Sequence, residues 1–140
     1  MKKIILILTI TIFSKNINAQ IGVPDTLTYL NSIVANKNIY VGQPFSVLYN
    51  VLSIQVKFFQ PFAAIHYDKN KETSTSFSFY FPLTIDDMYL AYPKLEIYWQ
   101  SNLNINQSGL LYSQNNGGGW DTTVYNFYKN AIIADIKVKE

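Results

Sequence analysis

The sequence predicts an α+β fold: two N-terminal helices, then a mainly antiparallel sheet of about four strands, with a short helix before the last strand. Three observations carry that expectation. Apolar residues recur at helical spacing through "VPDTLTYLNSIVAN" and "GQPFSVLYNVL". The period then changes to strict alternation in four later segments, the pattern of strands that bury one face. That alternation leaves the second face mixed rather than apolar, which suits antiparallel strands and not a parallel sheet covered on both sides.

The elements follow in order. In the first helix Leu27, Leu30, Ile33 and Val34 form the stripe, Pro24 and Asp25 supply the start, and Asn36 to Asn38 the stop. In the second, Pro44 suits the first helical position, and Phe45, Leu48, Tyr49 and Leu52 share a face. "SIQVKFF" then sets Ile54, Val56 and Phe58 against Gln55 and Lys57. "SFSFYF" sets Phe77, Phe79 and Phe81 against Ser76, Ser78 and Tyr80, with the polar "DKNKETST" as the turn before it. "KLEIYWQ" sets Leu95, Ile97 and Trp99 against Lys94, Glu96, Tyr98 and Gln100. "AIIADIKVKE" sets Ile132, Ala134, Ile136 and Val138 against Ile133, Asp135, Lys137 and Lys139, and "DTTVYNFYKN" supplies the short helix before it. "PLTIDDMYLAYP" has room for one helical turn, and "SNLNINQSGLLYSQNNGGG" reads as irregular with space for a short strand from Leu110 to Tyr112.

The beginning of the chain reads as an address. Lys2 and Lys3, an apolar or Thr run from Ile4 to Phe13 and a polar stretch before Ala19 have the layout of a secretory signal peptide. The run is too short to span a bilayer, which needs roughly 20 residues. The expectation is a signal peptide over 1–19, a single domain over 20–140 and export to the periplasm or medium, with no membrane span after signal removal. Losing Lys2, Lys3 and Lys15 turns eleven basic residues against nine acidic into eight against nine, so the apparent basicity belongs to the leader. A nucleic-acid partner is therefore not expected. The chain contains no cysteine, so stability rests on burial.

No motif identifies a reaction. Three glycines, Gly117 to Gly119, precede the short helix, but Trp120 and Asp121 stand where a phosphate loop has Lys and Ser or Thr. Asp121 reads as that helix's N-cap and the glycines as a flexible connector; the alternative is a ligand-touching loop in which Trp120 acts as an exposed lid or anchor. His66 is the sole histidine, which with no cysteine rules out a zinc site of the usual ligands within one chain. Asp86 and Asp87 follow Thr84 as a capping box would. In "DKNKET", Asp68, Asn70 and Glu72 alternate as in a calcium loop, yet Thr73 occupies the required glycine position. No catalytic residue, cofactor or metal is assigned.

Aromatic residues are the remaining signal, with 11 Tyr, 9 Phe and 2 Trp. By alternation Phe59, Tyr80 and Tyr98 face away from the helices, beside Lys57, Glu96 and Lys137. With Trp120 they are the expected binding residues, because interfaces favour such mixed aromatic surfaces. The order of "PDTLTYLNSIVANKNIYVGQPFSVLYNVLSIQVKFF" and of a Trp-Asp helix running into "IIADIKV" resembles small exported bacterial proteins. That resemblance implies an exported α+β domain and carries no functional residue. The function expected is a non-enzymatic binding or interaction module for a protein or glycan partner. The alternatives are a small enzyme acting on a glycan through Asp86 or Asp87 with a tyrosine, and a structural envelope protein.

Overall fold

The computed structural model describes residues 25–63, 68–80 and 92–140. Helix α1 (Thr26–Ala35) starts where the sequence places it: the Asp25 carboxylate accepts the N–H groups of Leu27 and Thr28 at 3.2 and 3.4 Å. Leu30 and Ile33 are buried, and α1 packs against the last strand. After a 3-10 turn (Lys37–Ile39) comes α2 (Phe45–Tyr49), which buries Phe45 and Leu48. Pro44 is its N-cap, one place earlier than expected, with extended ψ of 146°.

Strands β1 (Phe58–Phe62), β2 (Lys71–Ser78), β3 (Lys94–Asn104) and β4 (Ile133–Lys139) form one antiparallel sheet in the order β1-β2-β3-β4. Two further helices, α3 (Ile105–Gln114) and α4 (Thr122–Tyr128), lie between β3 and β4. The α+β class and the antiparallel sheet are as the periodicity indicates. Across the sheet Phe59, Phe77 and Leu95 share one register row, Thr75, Ile97 and Ile136 the next, and Trp99 and Ile133 a third. All of these are buried, and with Leu30, Phe45, Leu48, Val124 and Tyr128 they form the core.

Several expectations are corrected by local geometry. β1 begins at Phe58 rather than Ser53, so the alternation seen from Ile54 does not run into the ladder. Val56 and Phe59 both turn inward, three residues apart, and the ring in the core is Phe59 at 0% exposure, with Phe58 only half-buried. β2 begins at Lys71, so the segment read as a polar turn is mostly strand. In β4 a bulge opposes Tyr98 to Asp135 but Trp99 to Ile133, leaving Ala134 as the extra residue. Ile133 is therefore buried and Ala134 exposed, the reverse of strict alternation.

Helix α3 replaces the irregular segment and the short strand expected there. The Asn104 side chain accepts the N–H groups of Asn106 and Gln107 at 3.0 and 3.2 Å. Ser108 is its buried residue, with Leu111 and Tyr112 half-buried on the same face. The signal was present as a capping Asn followed by a stripe at i, i+3 and i+4. It was obscured by Gly109 and by a polar residue in the inward position.

The glycine run is a packed rim rather than a flexible connector. Phe59 N–H donates to the Gly118 carbonyl at 2.9 Å, and Trp120 N–H to that of Lys57 at 3.1 Å, so the loop covers the outer edge of β1. At Gly118 φ is +113°, and a Cβ there would stand 2.5 Å from the Phe58 ring and 2.6 Å from the Phe59 carbonyl oxygen. Only glycine fits.

Candidate functional site

The sheet has two sides, and each holds a carboxylate that the fold takes out of water. On the helix side Glu72 is 0% exposed. Alternation would place it with Ser74 on the other face, but the register breaks between Glu72 and Ser74, where β3 runs from Tyr98 to Leu103. That irregularity turns Glu72 inward. Its Oε1 accepts the hydroxyls of Thr75 and Tyr128, the latter at 2.9 Å, and the Trp99 indole N–H donates to the Thr75 oxygen at 2.8 Å. Its Oε2 has no hydrogen-bond partner. Burial raises the Glu72 carboxyl above the ordinary range, a shift only partly opposed by the hydroxyls of Ser108, Thr75 and Tyr128 and by Trp99. Burial, and then the charge of Glu72, push the Tyr128 phenol up as well.

On the other side Ser74, Ser76, Lys94, Glu96, Tyr98 and Lys139 line an open groove of about 410 Å³, which Phe62 and Glu140 also border. Strand pairing creates it: Ser74 stands opposite Tyr98, Ser76 opposite Glu96, and Lys94 opposite Lys139. Glu96 is 8% exposed. One of its oxygens accepts the Ser74 hydroxyl at 3.1 Å, and the other stands 3.1 Å from the Lys139 ammonium. That bond and the charge of Glu96 raise the Lys139 ammonium above its ordinary value. Lys137 lies 4.6 Å above the Tyr98 ring centroid, a cation–π contact. Beside it Asp135 pairs with Lys37 at 2.6 Å, and that bond lowers its carboxyl.

The four expected binding residues are not on one surface. Phe59 is core. Trp120 is half-buried, its indole N–H donates to the Tyr49 hydroxyl at 3.1 Å, and its ring meets Phe77 edge-on at 5.5 Å. It is neither exposed nor on a mobile loop, although one side of it lines a shallow cleft with Tyr49, Gln55, Asp121, Thr122 and Tyr125. Tyr80 lies past the end of β2 and packs its ring on Tyr92 at 4.3 Å, at the opposite end of the open face from Tyr98. Tyr98 alone of the four lines the groove.

Asp121 caps α4 as expected, accepting Val124 N–H at 2.8 Å. His66, Asp86 and Asp87 lie outside the described residues. Among the described residues no cluster of three or more His, Asp or Glu could hold a metal ion, and no helix is long and apolar enough to cross a membrane. Lys139 and Ser74 escaped sequence reasoning because only strand register brings them to Glu96. Comparison with protein families, curated proteins and solved structures finds no match.

Proposed function

We propose that this protein is an exported binding module and that its recognition surface is the sheet face opposite the helices. The observation that supports this reading most is the groove around Glu96. There a nearly buried carboxylate, two lysines, two serine hydroxyls and the rings of Tyr98 and Phe62 border one space. Polar groups held in place by strands, beside rings that gain from leaving water, are what a recognition site needs. Phe62, at 39% exposure, is a large apolar ring left at the rim. Export rests on the leader-like segment 1–19, and the partner is a protein or glycan of the cell envelope or medium.

The test is affinity isolation from the native envelope with the tagged protein, followed by titration of the isolated partner. Tyr98→Ser and Lys94→Glu should each weaken binding at least tenfold while leaving the thermal midpoint within a few degrees. Trp120→Phe, on the other side of the sheet, should leave binding unchanged. Loss of binding in Trp120→Phe with full binding in both groove variants would move the site to the cleft beside Tyr49.

A further inference from the structure

Glu72 is a buried acid that the binding reading does not use, and four elements converge on it. β2 contributes Glu72 and Thr75, β3 contributes Trp99, α3 contributes Ser108 and α4 contributes Tyr128. We propose that Glu72 is a proton-linked latch: carrying its proton it holds α3 and α4 on the sheet, and losing that proton releases α3.

The hydrogen bonds leave one place for the proton of a neutral Glu72. The Thr75 oxygen receives the Trp99 N–H, and its hydroxyl donates to Glu72 Oε1, which also receives the Tyr128 hydroxyl. An oxygen that accepts twice is suited to be the carbonyl oxygen of a neutral acid. The acid proton then belongs on Oε2, which no donor reaches. Ser108 is the hydroxyl beside it, but that hydroxyl is turned to the carbonyls of Ile105 and Asn104 at 3.3 and 3.5 Å. Its lone pairs are therefore free to accept the acid proton. Once Glu72 ionises, Oε2 holds charge with no cation beside it among the described residues, and the Ser108 hydroxyl can donate to it only by leaving the carbonyls of its own helix, a costly arrangement.

Among the described residues nothing in the surrounding elements neutralises that charge. Helices α3 and α4 contain no charged residue, and Tyr128 is the group among the partners that can itself titrate. At the ends of α4, Asp121 is bound to Val124 N–H and Lys129 to the Asn126 side chain. Lys71 on β2 is paired with Asp68, while Lys94 and Glu96 of β3 belong to the far face. The ionised state must then admit water, and α3 is the element to yield. It buries only Ser108, whereas α4 buries Val124 and Tyr128.

Residue-resolved hydrogen exchange of the whole chain at pH 5.5 and pH 8.5, corrected for the intrinsic pH dependence, tests the latch. Protection over Ile105–Gln114 should fall at least tenfold at the higher pH while β2 and β3 amides keep theirs. Glu72→Gln should show no such fall. Unchanged α3 protection in the wild type, or the same fall in Glu72→Gln, overturns the proposal. Should that variant fail to fold, carbon-13 titration of the carboxyls of Glu72, Glu96 and Glu140 in the wild type decides. One must ionise well above the ordinary range, in step with α3 exposure. Ordinary titration of all three overturns the proposal equally.

Discussion

The two sides of the sheet solve the same problem in opposite ways. Glu72 and Glu96 are both withdrawn from water, at 0% and 8% exposure. Glu96 keeps an ammonium 3.1 Å away on Lys139, a side chain that is itself 56% exposed. Glu72 has hydroxyl and indole donors around it and, among the described residues, no cation paired with it. One carboxylate therefore faces a cation at a wet rim, and the other is sealed where burial works against its charge. The difference separates the side that holds the core from the side on which the proposed recognition surface lies.

The largest expected effect breaks the comparison at its base. Phe59→Ala removes a fully buried ring that meets Tyr128 at 5.8 Å and Trp120 at 6.2 Å. It should cost about 3 to 5 kcal/mol in denaturant unfolding. Tyr98→Ser, on the half-exposed open face, should cost about 1 kcal/mol or less. Equal costs would mean that the open face is as much a core as the helix side.

That pair also shows what was legible. Leu95, Ile97 and Trp99 could be read directly, because β3 holds period 2 through an unbroken ladder with β4 as far as Tyr98. Phe59 could not, because its strand begins at Phe58 and the approach to it, though it alternates in sequence, is not strand. Ile133 was inverted by the bulge at Ala134, and Glu72, read as part of a polar turn, faces the core where the register breaks beside Ser74. One inserted residue reverses every inference from parity beyond it. For the groove, Tyr98, Glu96 and Lys137 were visible as a mixed face. The Ser74 and Lys139 partners of Glu96 depend on register, which a single sequence does not state.

The second prediction follows from linkage. Glu72 is raised above its ordinary value of 4.5, so below pH 4.5 it is protonated in both folded and unfolded chains and pH has no purchase on it. As pH rises past that value the unfolded chain releases a proton that the folded chain keeps. Stability should then fall by up to about 1.4 kcal/mol per pH unit until the folded group ionises, and stay level beyond. Asp135, lowered by Lys37, acts in the opposite sense, its contribution being lost as the pH falls through its depressed value. Unfolding curves from pH 4 to pH 9 should thus decline for the wild type and be flatter for Glu72→Gln. Identical slopes would place Glu72 in contact with solvent and erase the distinction from Glu96.

The smallest effect sharpens the other half of the comparison. The Glu96–Lys139 pair combines a buried oxygen with an exposed ammonium, so part of the attraction is screened and the lysine can rehydrate if its partner is lost. A double-mutant cycle with Glu96→Gln and Lys139→Met should give a coupling of about 0.2 to 1 kcal/mol, shrinking as salt is raised from 0.05 to about 0.5 M. The Ser74 hydroxyl can still donate to the amide oxygen of Gln at position 96, so the single change should leave no buried acceptor stranded. A coupling of several kcal/mol that ignores salt would show instead that Lys139 is held out of water with Glu96. The open face would then be a second sealed core, and the groove along β2 and β3 would lose its standing as a place where a partner can enter.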